Sequence, residues 1–146
     1  MKILGIDYGS KTIGLAIYDS SVDFYYPLRT LLRARENVLR KNINELSQII
    51  VNECIEQIII GLPLSMDGHI GERVFFVKEF AKKLSTKISD NIEIKFMDER
   101  LSTKEAKELL VKRGIKSNNI KEKIDGVAAI VILKDYLNNK NGEIYG

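Results

Sequence analysis

Four acids stand where elements of regular structure should begin or end: Asp7 at the tip of "KILGID", Asp98 and Glu99 closing "NIEIKFMDER", and Asp125 opening "IDGVAAIVIL". Hard divalent cations need such oxygen ligands, and Mg²⁺ takes only a few carboxylates while keeping positions for water and a substrate phosphate. Two such ions about 4 Å apart activate a water and stabilise the leaving oxygen of a phosphodiester. Gathered without a metal, the same carboxylates would repel and raise one another's pKa values, so an empty cluster is a poor structural element. The chemistry open to this set is therefore hydrolysis assisted by Mg²⁺ or Mn²⁺. Each acid also has a purely structural use. Asp7 can bond the amides of Gly9 and Ser10 as an Asx-turn, Asp125 can cap a helix, and Asp98, Glu99 and Arg100 can form a solvated strand end.

The elements that would position these acids follow from hydrophobic period and turn chemistry. Residues 2–7 and 12–18 read as two strands of an antiparallel hairpin, with Gly9 free to take a positive φ in the connecting "YGSK" turn. "DFYYPLRTLL" (Asp23 to Leu32) reads as a third strand, with Pro27 calling for an edge or a bulge. From Glu36 to Cys54 apolar residues recur at the helical period, and "QIIIGLP" is a short strand buried on both faces. Val74, Val77, Ala81 and Leu84 mark a second helix, "NIEIKFMDER" a fifth strand, and "STKEAKELLVKRG" a third helix. "IDGVAAIVILKDYL" is a final helix packed deep against the sheet. This order predicts an α/β fold: a mixed five-stranded sheet, three strands in an antiparallel meander and two parallel, with helices on both faces. One domain over residues 1–138 and a short tail, 139–146, are expected, with loose chain from Lys112 to Lys123 and after Leu137.

Composition narrows the alternatives. One cysteine, Cys54, and one histidine, His69, in separated contexts exclude a disulfide framework, a zinc cluster and a Cys-His pair. Cys54 reads as a small apolar filler at a helix end. Met1 leads straight into a strand with no signal-peptide pattern, and no stretch is apolar for the ~20 residues of a membrane span, so a cytoplasmic location is expected. A net charge of +3 is a mild bias toward polyanions. The cations concentrate in two places, Arg29, Arg33, Arg35, Arg40 and Lys41, and Lys112, Arg113, Lys116, Lys121 and Lys123 leading to Asp125. Such runs are commonly solvated faces, yet a basic approach to an acidic centre suits a phosphodiester backbone. Gly9 and Lys11 in the first turn, Arg100, Lys121 and Lys123 are the candidate substrate contacts.

Four segments in order along the chain, "GIDYGSKTIGLAI", "IIIGLPLSMDG", "MDERLSTKEA" and "KIDGVAAIVIL", resemble the signature set of the YqgF family, also called RuvX-type or Holliday junction resolvase-like. The resemblance implies a ribonuclease H-like fold and a cytoplasmic bacterial nuclease acting in maturation of the 5′ end of pre-16S ribosomal RNA. It also implies distant kinship with Holliday junction resolvases. Carried over by position, the family's acidic motifs fall on Asp7, on Asp98 and Glu99, and on Asp125. RuvC-type resolvases place their second acid after the fourth strand, where this chain has Gly61, Leu62 and Pro63, so that metal geometry does not transfer. Alternation sends Asp98 and Glu99 to opposite faces if the strand persists. Glu99 is preferred, because its longer arm can reach back from a turn, with Asp98 as the alternative.

The expectation is a two-metal phosphodiester hydrolase with Asp7, Glu99 and Asp125 as catalytic metal ligands, acting on precursor rRNA or a ribosomal particle. Branched DNA is the alternative substrate. Two further readings stand beside it: a non-catalytic ribosome assembly factor that binds nucleic acid, and an actin-like kinase, which normally needs two such domains. Oligomeric state is open.

Overall fold

In the computed structural model, which describes residues 1–32, 39–62, 71–98 and 117–138, with side chains from 126 onward in the last segment, the expected hairpin forms. β1 (Lys2–Tyr8) pairs antiparallel with β2 (Thr12–Asp19), Asp7 lying opposite Gly14. β3 (Phe24–Pro27) continues the meander, and β4 (Leu31–Leu32) pairs beside it with the start of β2. The single third strand expected over Asp23–Leu32 is thus two. Pro27 ends β3, and the Leu28 N–H returns to the Leu15 carbonyl at 2.9 Å. Pro27 stands opposite Ala16 with its nitrogen toward the outer edge of the sheet, where the missing N–H costs no ladder bond.

α1 (Arg40–Asn52) leads into β5 (Ile55–Leu62), α2 (Glu72–Ser85) into β6 (Glu93–Asp98), and α3 (Ser117–Asn138) ends the described chain. The sheet order is β3-β2-β1-β5-β6, with β5 parallel to both β1 and β6. This is the expected five-strand path, with the short β4 as a sixth strand beside it. The helix expected over "STKEAKELLVKRG" and the start of the first helix at Glu36 lie outside the described residues.

The period of two along each strand separates two cores. Leu4, Ile6 and Tyr8 of β1, Leu15 and Ile17 of β2, and Ile58, Ile60 and Leu62 of β5 face α1 and α2, where Leu46, Ile50, Val77, Phe80 and Leu84 are buried against them. Phe80 belongs to the centre of this core, its ring stacked on Tyr8 at 4.2 Å. The other face carries Ile3, Ala16 and Ile59 against Ala129, Ile132, Leu133 and Tyr136 of α3. Helices therefore cover both faces, as alternating apolar strands of this kind demand.

Two local expectations are corrected. Cys54 is no apolar filler: it is exposed, with a φ of 56°, and turns the chain from α1 into β5. The segment expected to be loose up to Lys123 is helical from Ser117, so Lys121 and Lys123 lie within α3. "SNNIKEKI" lacks an apolar stripe of its own, and the helix that extends through it is anchored by the apolar turns that follow.

Candidate active site at the carboxyl ends of the strands

Parallel pairing brings the carboxyl ends of β1, β5 and β6 to one edge of the sheet. Ile6 pairs with Ile60, Gly61 with Met97 and Leu62 with Asp98. One step beyond Ile6, Asp7 stands level with Gly61. Its other neighbour in that row is Gly14. Asp7 is half-buried and shares its face with Gly5 and Ile3, the face covered by α3. With glycine on either side of it in the sheet, its carboxylate borders positions that carry no side chain.

α3 crosses this face closely. A methyl group added at Gly5 would stand 2.7 Å from Leu133 Cγ and 2.9 Å from the Ala129 carbonyl oxygen. Side-chain bulk at Gly5 would hold the helix off the sheet. Toward its C-terminus, α3 is fastened near the opposite ends of the strands, where Gln57 Nε2 donates to the Tyr136 hydroxyl at 3.1 Å and the Lys95 ammonium lies 5.9 Å from the Tyr136 ring centre. Gln57 is level with Ile3. Three residues back from Ala129, an added Cβ at Gly126 would lie 3.1 Å from Pro27 Cβ on β3, so the helix runs obliquely from β5 across β1 and β2 toward the hairpin side of the sheet.

Position 125 is one helical turn before Ala129. It sits well inside α3, which begins at Ser117, so the N-cap use of Asp125 is excluded. Its backbone lies next to Gly126, on the stretch of α3 that covers the β1–β2–β3 side of this face.

Alternation also separates the two candidate acids after the last strand. Ile94 and Phe96 pack with the α1–α2 core and Met97 with the α3 core. Asp98 continues the row of Ile94 and Phe96, on the face opposite Asp7. Glu99 lies outside the described residues, as does Arg100.

At the turn, Lys11 is exposed. The Gly9 N–H donates to the Thr12 carbonyl at 2.8 Å, and a Cβ at Gly9 would lie 3.0 Å from that oxygen. Its φ lies outside the left-handed region, so glycine is needed there for space and not for a positive φ. Among the described residues, no three metal-ligating side chains converge, two of the three expected ligands having side chains beyond those described. The donor chemistry of Asp7, a strand-end carboxylate between glycines, fits a hard cation.

Sequence reasoning missed Arg73. From the first turn of α2 its Nη2 donates to the Tyr8 carbonyl at 3.1 Å, and its guanidinium lies 5.8 Å from the Tyr8 ring centre and 5.9 Å from that of Phe76. The only local signal was a cation at a helix start, where acids are favoured. Of the first basic concentration, Arg29 is paired with Glu45 at 3.2 Å, whereas Arg40 and Lys41 are exposed. Arg33 and Arg35 lie outside the described residues.

Comparison with known proteins gives the same fold and a family. The sequence model of RuvX, described as Holliday junction resolvase, matches residues 1–139. A protein of Lachnospira eligens named "Putative pre-16S rRNA nuclease" is 37% identical over 140 residues, covering 96% of this chain and 99% of that protein. A protein of the same name from a Sulfurihydrogenibium species is 42% identical over 136 residues, with 93% and 89% covered. Among solved structures, T. thermophilus RuvC in complex with a Holliday junction substrate superposes with a TM-score of 0.59 at 14% identity, over 99% of each chain. The fowlpox virus resolvase in complex with Holliday junction DNA gives 0.54 at 13% identity, over 97% of this chain and 100% of that one. The fold is ribonuclease H-like. Among the described residues, no helix is long and apolar enough to cross a membrane.

Proposed function

The chain belongs to the RuvX family, and from that premise we propose that it is a metal-dependent nuclease that hydrolyses phosphodiester bonds in the 5′ region of precursor 16S rRNA. The observation that carries this reading is a face held in common. The face of the sheet that bears Asp7, at the carboxyl end of β1, is the face that α3, which carries position 125, covers closely at Gly5, and this shared face supports the reading. A relative's name supports the polymer, and the acid pattern supports the chemistry.

In this reading Asp7, Glu99 and Asp125 hold Mg²⁺ or Mn²⁺. The bound cation supplies Lewis acidity toward the phosphate and lowers the pKa of an attacking water. Asp7, in the row between Gly14 and Gly61, would help to hold the cation and orient the attacking water. Lys11 meets a phosphate of the substrate strand as a point charge at the tip of the hairpin. Gly9 serves the same contact by keeping the turn narrow, since its N–H is engaged by Thr12. Arg100, Lys121 and Lys123 extend the cationic path along which the polyanion lies. No covalent intermediate is needed.

The test is cleavage of a 5′-extended 16S precursor by purified protein with Mn²⁺ or Mg²⁺, beside a four-way DNA junction. Metal-dependent cutting of the RNA that Asp7→Asn abolishes is the expected result. Cutting of the junction alone would transfer the activity to branched DNA. Binding without cutting, equal in wild type and in an Asp7→Asn/Asp125→Asn double variant, would make the protein an assembly factor.

A further inference from the structure

At the tip of β1 the Tyr8 carbonyl accepts from a side chain of α2, the Arg73 guanidinium. The Gly9 N–H points to β2, where it meets Thr12. Backbone groups alternate in direction along a strand, so the N–H and C=O of Tyr8 point the other way, toward β5. Ile6 pairs with Ile60 in that parallel ladder. Continued by two residues, the ladder would satisfy the Tyr8 carbonyl with the N–H of residue 63. Residue 63 is proline, which has none in any conformation.

A buried backbone acceptor needs a partner. The Arg73 guanidinium donates to this carbonyl at 3.1 Å while lying 5.8 Å from the centre of the same residue's ring, and Phe80 stacks on that ring at 4.2 Å. Tyr8 is only 2% exposed. α2 therefore grips both the backbone and the side chain of the residue that follows Asp7. Asp7 itself projects to the opposite face.

We propose that Arg73 is a positioning residue for Asp7: it replaces the ladder donor that Pro63 lacks, and so fixes the strand tip from which the carboxylate reaches the metal. Held in this way, the strand tip keeps the carboxylate in one orientation. The inference rests on the nuclease reading for its effect on turnover, but its effect on the metal-free strand tip does not.

The test uses the full chain and the variants Arg73→Ala, Arg73→Lys and Arg73→Gln. Labelling tyrosine carbonyls with ¹³C and glycine amides with ¹⁵N gives signals from two Tyr–Gly pairs, 8–9 and 145–146, the second an internal reference. In metal-free protein Arg73→Ala should move the 8–9 signal and leave the 145–146 signal in place. Its Mn²⁺ affinity, measured by calorimetry without substrate, should fall about tenfold, and kcat by a similar factor with KM little changed, the scale seen for groups that orient metal ligands. Arg73→Lys, which keeps a cationic donor, should recover most of the loss. If Arg73→Ala does not fold, Arg73→Gln, with a shorter neutral donor, is read in the same way.

A raised KM with unchanged kcat and Mn²⁺ affinity would make Arg73 a substrate contact and overturn the proposal. So would an unmoved 8–9 signal, or unchanged affinity and kcat. Wild-type protein that binds Mn²⁺ and cuts neither RNA nor DNA would remove the nuclease reading, while the carbonyl signal and the isotherm would still decide the role of Arg73.

Discussion

On the α1–α2 side of the sheet, branched and aromatic side chains stand between strand and helix: Leu4, Ile6 and Tyr8 meet Leu46, Ile50 and Phe80. On the α3 side, the central strands offer Gly5, Gly14, Ala16 and Gly61, and the helix answers with Gly126, Ala128 and Ala129, all buried. The first face buries large apolar side chains, each contributing roughly 1.5–3 kcal/mol. The second gives up side-chain volume to bring a helix backbone against the sheet. The difference teaches how bulk is divided in this fold: the thick face holds the domain together, and the thin one lets α3 lie close on the strand that carries Asp7, which the proposed function makes the side of the chemistry.

That division can be broken from either side. The largest expected effect is at Asp7. Asp7→Asn should lower cleavage by about three orders of magnitude, roughly 4 kcal/mol of transition-state stabilisation, with the melting temperature kept or raised because a carboxylate is removed from an acidic edge. Single-turnover rates and thermal melts on the same samples check both halves. On the thick face, Leu46→Ala should cost about 2–5 kcal/mol in urea unfolding while leaving the cleavage rate of the folded protein unchanged at low temperature.

Gly5→Val tests the thin face. Its side chain runs into Leu133 and the Ala129 carbonyl, so about 1–3 kcal/mol of overpacking is expected in stability. Cleavage should fall by more than the loss of folded protein explains, since the helix carrying position 125 is pushed away. Equal losses in both would mean that the spacing at Gly5 serves packing alone.

The face assignment after β6 is sharpened by a paired substitution. Glu99→Gln should reduce metal-dependent cleavage about tenfold more than Asp98→Asn, because alternation puts Asp98 with Ile94 and Phe96 on the thick face. The reverse order would place the ligand at Asp98 and require the chain to turn over at the strand end. The smallest effect is expected from Tyr136→Phe, which removes the hydrogen bond from Gln57 and should cost about 0.5–1.5 kcal/mol with cleavage unaltered. Urea midpoints and initial rates measure it.

Much of this architecture was legible in local pattern. The hairpin, the buried "IIIGL" strand, the apolar stripes of the first two helices and the alternation of "NIEIKFM" all repeat within a few residues, and period alone identifies them. The misreadings fell where pattern is weak. The polar start of α3 has no stripe, the strand break at Pro27 depends on which edge faces solvent, and the exposed left-handed Cys54 occupies a turn commonly given to glycine.

By itself the sequence determined which residue types end the strands, and therefore that carboxylates and a cationic turn sit at element boundaries. Those facts follow from side-chain chemistry and from a period of two or 3.6, which need no knowledge of distant chain. Only the tertiary structure decided that Asp7 and Asp98 belong to opposite faces of one sheet, that Gly5 sets the approach of α3, and that Arg73 grips Tyr8. The last contact joins residues 65 positions apart. No local periodicity encodes such a meeting, because it joins the end of a strand to the first turn of a helix that comes beside it only when the chain has folded.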